Sequence, residues 1–170
     1  MTVTADNITP KIILDMIKNQ LNLEENQAWV YNQRQTIPKE DGLFVVVGLD
    51  SVRVYGNNTY YDDDSMGLEE KVGTWVLEHI SINLFSRDYS AIMRQAEVLA
   101  SFVSTYSQQV AFAYALRFGK IPSTFVDRSS REGTSILYRF VISIPVYRCY
   151  VTVKPVAYFD NFSHTITNNP

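Results

Sequence analysis

His79, Cys149 and His164 are the residues of this chain best suited to chemistry near neutral pH. Two histidines and one cysteine could converge as the working groups of a small enzyme. Nothing around them strengthens that reading. They are scattered along the chain, and no CxxC, HExxH, GxSxG or phosphate-binding glycine loop accompanies them. A satisfied or solvent-facing imidazole at each histidine and a small core thiol at Cys149 account for them without catalysis. The expectation is no catalytic residue, no cofactor and no metal.

Two charged constellations remain. The run DDDSMGLEE places Asp62, Asp63, Asp64, Glu69 and Glu70 close together. A calcium loop of the EF-hand kind needs oxygens at alternate positions, a central glycine and a final glutamate at a fixed offset, and three adjacent aspartates lack that spacing. A solvated acidic loop is the reading. Arg117, Lys120, Arg128, Arg131, Arg139 and Arg148 are interleaved with aromatic residues, which suits contact with phosphates. The chain is acidic overall, with a net charge of −3, and carries no recognised nucleic-acid module, so only non-specific backbone contact is expected.

The charges are unevenly placed. Residues 1 to 86 hold six Lys/Arg against thirteen Asp/Glu, and residues 87 to 170 hold nine against five. Either the two halves intermix on one surface, or faces of opposite sign suit head-to-tail association of identical copies. One cysteine excludes a disulfide framework and fits a reducing compartment. The first twenty residues have no basic leader region and include Lys11, Asp15 and Lys18, so they read as neither a signal peptide nor a membrane span. No membrane association is expected.

The elements that must position these groups follow from periodicity. A length of 170 residues with 46% hydrophobic and 19% charged residues suits one globular domain. Thr9 and Pro10 announce a first helix, with Thr9 as the capping hydroxyl and Ile13, Ile17 and Leu21 on its apolar face. AWVYNQRQ, residues 28 to 35, reads as a short strand, and IPKEDG as a turn. Residues 43 to 55 and 74 to 86 read as two strands around the acidic loop, with Gly48 as a bend or bulge. Tyr89, Ile92, Ala96, Leu99, Val103 and Tyr106 predict the buried face of a second helix. From Val110 to Phe118 large residues alternate with alanines and an arginine, which favours a strand, while three alanines leave a helical continuation open.

The longest apolar run is SILYRFVISIPVYRCYVTV, residues 135 to 153. Ile136, Tyr138, Phe140, Ile142 and Ile144 share one face; after Pro145 the apolar positions are Tyr147, Cys149, Val151 and Val153, so the parity is expected to flip at a bulge or bend. A strand this long is expected to outrun its own sheet. Its far end, and the tail PVAYFDNFSHTITNNP, are then expected to be free to meet a partner.

The order helix, strand, hairpin with a long loop, amphipathic helix, strands and a final long β segment resembles the neck and tail terminator proteins of tailed bacteriophages. The likeness is most specific in WVYNQRQTIPKEDGLFVVVGL, in GTWVLEHISINLFSRDYSAIMRQAEVL and in ALRFGKIPSTFVDRSSREGTSILYRFVIS. The fold expected is α+β: a single domain over residues 1–153, mainly an antiparallel twisted sheet flanked by two helices with a long projecting hairpin loop, and a C-terminal extension over 154–170.

That resemblance implies a structural role in the virion. Its members form a ring, usually of six copies, that caps the tail tube, stops its polymerisation and joins it to the head-side connector. Implied partners are the chain itself, tail tube and sheath proteins, a connector or stopper protein, and DNA passing without sequence specificity. Implied localisation is the neck of the virion, assembled in the host cytoplasm. The interface candidates are Asp62, Asp63, Asp64, Glu69, Glu70, Arg117, Arg128, Arg131, Tyr147, Arg148 and Tyr150, with the acidic group expected to meet a neighbour's Arg117, Arg128 and Arg131. A head-completion or stopper protein is the alternative within the virion. A small enzyme using His79, His164 or Cys149 is the alternative of another class.

Overall fold

The computed structural model describes residues 8–31, 39–64, 67–133 and 135–155. Helix α1 spans Thr9–Leu21. Its cap is Ile8, whose carbonyl accepts from Lys11 N at 3.0 Å, so Thr9 lies inside the helix instead of capping it. Thr9 is 1% exposed and its hydroxyl is used elsewhere, as shown below. Pro10 sits in the first turn, where a missing N–H is harmless. Asn22, with φ 51°, ends the helix in the left-handed conformation.

The sheet is α1's support. Strand β1 is Ala28–Val30, β2 is Phe44–Asp64 and β3 is Gly67–Ser86. Three helical segments follow: α2 Ser90–Met93, α3 Gln95–Ser101 and α4 Thr105–Ala113. Short strands β4 Leu116–Phe118, β5 Val126–Asp127 and β6 Ser130–Glu132 precede the long β7, Ser135–Pro155. The main order is β1-β2-β3-β7-β4, with β5 and β6 also pairing β7. Only β1 with β2 is parallel; the other pairs are antiparallel. This is the α+β domain expected.

The core lies between α1 and the inner half of the sheet. Ile13, Met16, Ile17 and Leu21 pack on Val45, Val47, Ile80, Ile82, Leu84, Ile142, Ile144 and Val146. A second, smaller cluster of Trp29, Phe44, Val46, Phe85 and Leu137 covers the opposite face near the base of the strands.

Four expectations are corrected. The second helix is broken at Arg94, whose Nη2 donates to the Leu21 carbonyl at 3.1 Å, and again between α3 and α4, where Ser104 caps α4 by accepting from Ser107 N at 3.2 Å. The breaks rotate the buried face to Ala91, Val98 and Phe102, leaving Tyr89, Ile92, Val103 and Tyr106 exposed. Residues 110–113 complete α4 and are not a strand; the alanines extend the helix until Ala115, at φ 51°, turns the chain into β4. Bulges fall between Leu49 and Ser51 and between Val54 and Gly56, not at Gly48. Gly48 pairs regularly with Ser81, and glycine is needed there because a Cβ would stand 3.1 Å from the Tyr31 Cβ.

The fourth correction concerns β7. Its register with β3 runs unbroken from Ser86 opposite Tyr138 to Glu69 opposite Pro155, so parity does not flip at Pro145. Ile142, Ile144, Val146 and Arg148 therefore share the buried face, while Tyr147 and Cys149 point to the other. Proline is tolerated because the Pro145 carbonyl accepts from Gly119 N at 2.8 Å, which places the forfeited donor on the side where β4 has already ended. Gly119 is held closely against that ring. A Cβ there would stand 2.8 Å from Pro145 Cγ and 3.2 Å from the Tyr147 ring. Gly119→Ala is expected to lower the unfolding midpoint, by about 1–3 kcal/mol in stability, because the Pro145 ring is tied to the backbone and cannot withdraw freely. An unchanged urea midpoint would refute the close packing.

Candidate assembly interface

Beyond the helical layer, β2, β3 and β7 continue as a three-stranded arm. Burial on β2 ends at Gly48, and every residue whose exposure is described from Leu49 to Tyr61, apart from Gly56, is exposed. The expected hairpin is present, but the acidic loop read between its strands is corrected: Gly56–Asp64 stands opposite Gly67–Trp75 without a bulge, so Asp62, Asp63, Asp64, Glu69 and Glu70 lie on paired strands. The three strands have 21, 20 and 21 residues, about 65 Å at ~3.3 Å per residue.

Large apolar side chains are exposed on both faces of the arm. On the helix side are Val52, Val54 and Tyr61; on the open side are Tyr60, Trp75, Tyr147 and Val153. Tyr55, at the second bulge, meets Tyr147 edge-on at 5.9 Å. With Trp75, Cys149, Arg117 and the α4–β4 turn, this pair lines a cleft of about 550 Å³. Phe112, 90% exposed, stands at its rim.

The junction of arm and body is a buried polar cluster. Arg148 and Glu78 are each 4% exposed and occupy diagonal positions on neighbouring strands, since Arg148 pairs with Val76 and Glu78 with Val146. Arg148 Nη1 donates to Thr9 Oγ1 at 3.2 Å, and its guanidinium lies 4.8 Å from the centre of the Tyr150 ring. The Tyr150 hydroxyl donates to Glu78 Oε1 at 2.6 Å. Burial first, then this bond and the Glu78 charge, raise the Tyr150 phenol above its usual range, which keeps it a donor. Glu78 Oε2 has no hydrogen-bond partner among the described residues. Arg148 is thereby removed from the candidate interface: it fastens the arm to the N-terminus of α1. Tyr150 is turned to the same purpose.

The remaining candidates are spread along the molecule. Asp62, Asp63 and Asp64 lie at the end of β2, with Asp62 opposite Glu69 and Glu70 opposite Lys154. Arg131 pairs with Ile136 at the other end of β7, and Arg128 N donates to the Arg139 carbonyl nearby. Nineteen positions of β7 separate Ile136 from Pro155, the partner of Glu69, or about 60 Å. Arg117 is nearer, opposite Tyr147 and beside the cleft. Acidic tip and basic base are thus far apart within one copy. Arg139 is held in place by Asn83 Oδ1, at 2.8 Å from Nη2, and covers the Phe85 ring at 5.3 Å.

Of the residues considered for catalysis, the two described ones do not converge. His79 stands opposite Pro145 and Cys149 opposite Trp75, four positions or about 13 Å apart along β7. His164 lies outside the described residues. Among the described residues no three His, Cys, Asp or Glu side chains form a group that could hold a metal ion, and no helix is long and apolar enough to cross a membrane. The sequence pattern puts Val103 on a helix face one step out of phase and Phe112 on a strand, and Met93 has no sequence signal; all three are exposed on helical segments or beside them. No protein-family model matches the chain, and no curated protein is significantly similar to it.

Proposed function

We propose that the protein is a structural component of a tailed-phage neck: a tail terminator whose copies form a ring that caps the tail tube, ends its polymerisation and joins it to the head-side connector. The observation that carries this reading is the arm. A three-stranded ribbon exposes Val52, Val54, Tyr61, Trp75, Tyr60 and Val153 over its two faces, and association of copies is the way such an arm would withdraw them from water. The acidic tip at the end of β2 and the exposed Lys154 on the β7 side of the same arm support head-to-tail contact, in which unlike patches of successive copies meet. Phosphate-compatible arginines at Arg117, Arg128 and Arg131, all exposed, suit a channel that DNA traverses without sequence readout.

Light scattering after size exclusion, over a range of concentrations and with tail-tube protein added, tests the reading. A defined ring mass is expected; a monomer under every condition removes it. Particles assembled without the protein are expected to carry overlong or unstable tails. Normal tails detached from leaking heads would instead assign it to head completion.

The acidic tip is expected to contribute to assembly. Replacing Asp62, Asp63 and Asp64 together by asparagine is expected to weaken the ring, and rising salt to loosen the wild type. Exposed pairs are worth only about 0–1 kcal/mol each, but a ring repeats them in every copy. If the variant assembles as the wild type does at low salt yet slows DNA ejection, the carboxylates face the channel and not a neighbour.

A further inference from the structure

The arm has two open edges, and their geometry names the contact through which copies meet. In an antiparallel strand the N–H and C=O of one residue point to the same side, and the side alternates from residue to residue. On β7 the carbonyls of Arg139 and Pro145 accept from Arg128 and Gly119, which lie away from β3. Residues of that parity therefore face outward along the whole strand. β4 stops at Leu116, opposite Arg148, so beyond it Val151 and Val153 direct their backbone groups to a side where no described strand lies. At the same level of the arm, the outer side of β2 is equally open. β1 covers only Val45–Val47, and no described strand pairs with β2 beyond them.

Open edges are ordinarily blunted by bulges, prolines or inward charges. Here the two bulges of β2 lie before Gly56, and the outward prolines of β7 are Pro145 and Pro155, on either side of the stretch in question. The stretch between them is regular, and Val153 is 46% exposed. The two edges are also matched: Asn58, through Gly73, lies level with Val151, and Tyr60, through Lys71, lies level with Val153.

We propose that the β7 edge at Val151 and Val153 of one copy receives the outer β2 edge, Asn57–Asp64, of the next, so that the arms join into one continuous sheet. This rests on the ring reading and specifies its contact. Within a copy β2 and β7 run in the same direction, each being antiparallel to β3. Arms that all point the same way about a rotation axis therefore meet in parallel, each copy offering one edge and accepting the other, and closure leaves no edge exposed. The arrangement sets Lys154, exposed beside the junction, at the level of the neighbour's Tyr61, one position from its Asp62. Arg128 and Arg131, far down the strand, are not the counterpart of that acidic tip.

Val151→Pro tests this directly. Proline there removes an outward donor and leaves the bonds to β3 in place, as Pro145 already does at the same parity. Val153→Lys, at an exposed position, blunts the same edge without touching the backbone. Each variant is compared with wild type by circular dichroism, thermal midpoint and light scattering. The expected result is a folded protein that needs about tenfold more concentration, or greater, to reach half assembly. If Val151→Pro does not fold, Val153→Lys decides. Folded variants that assemble as wild type does overturn the edge contact while the ring reading stands. A wild type that stays monomeric at every concentration, alone and with tail-tube protein, overturns the ring reading itself.

Discussion

Arg148→Met is expected to cost about 3–5 kcal/mol of folding stability, the scale for removing one member of a buried, hydrogen-bonded charged cluster. Methionine fills much of the same volume but cannot donate to Thr9 or balance Glu78, whose carboxylate is 4% exposed and already has one oxygen without a hydrogen-bond partner among the described residues. For a domain whose total stability is of the order of 5–15 kcal/mol, that loss is large. Urea unfolding measures it. The double variant Arg148→Met/Glu78→Gln is expected to recover much of the difference, because the amide can still accept from the Tyr150 hydroxyl without carrying a charge. A single variant within about 1 kcal/mol of wild type would show that the cluster is not what fastens the arm to α1.

Ile144→Ala is expected to cost about 2–5 kcal/mol, since the side chain is 0% exposed and packs among the α1 and β3 residues of the core. Tyr147→Ala, three positions on and past Pro145, is expected to cost the fold about 1 kcal/mol or less, because its ring is 37% exposed and meets mainly Tyr55 across the open cleft. The contrast reads the parity of β7. If Tyr147→Ala proved as damaging to the isolated chain as Ile144→Ala, the strand would have to change face at the proline. Assembly is the reverse case: Tyr147→Ala is expected to impair it in light scattering while the fold is retained.

Much of the candidate interface was legible from residue types alone. The acidic tip, Arg117, Arg128, Arg131 and the projecting hairpin follow from charge runs and turn residues between β-branched stretches, and the structure places them at the surface or at the end of the arm. Arg148 was not legible as a buried group. An arginine between two tyrosines in a strand reads as solvent-facing, and its burial rests on groups distant in the chain: Thr9 accepts from it, and Tyr150, bonded to Glu78, lies against it. The exposed helical residues were misassigned for a similar reason. Residues 89 to 106 carry apolar side chains on more than one face, and the breaks at Arg94 and before Ser104 decide which is used.

By itself the sequence determined the class and the inventory: a first helix at Thr9–Leu21, long β-branched strands, an acidic hairpin and a final strand longer than the body it crosses. These are local properties, carried by periodicity, turn chemistry and a proline in a first helical turn. Tertiary structure decided the parity of β7. Past Pro145 the apolar positions are Tyr147, Cys149, Val151 and Val153, while the face that continues Ile142 and Ile144 carries Val146, Arg148, Tyr150 and Thr152, so the local pattern favours a flip that the fold does not make. The unbroken register with β3 prevails, because keeping every ladder bond to β3 sets Arg148 beside Thr9 and Tyr150 beside Glu78, and places the donor lost at Pro145 where no strand needs it.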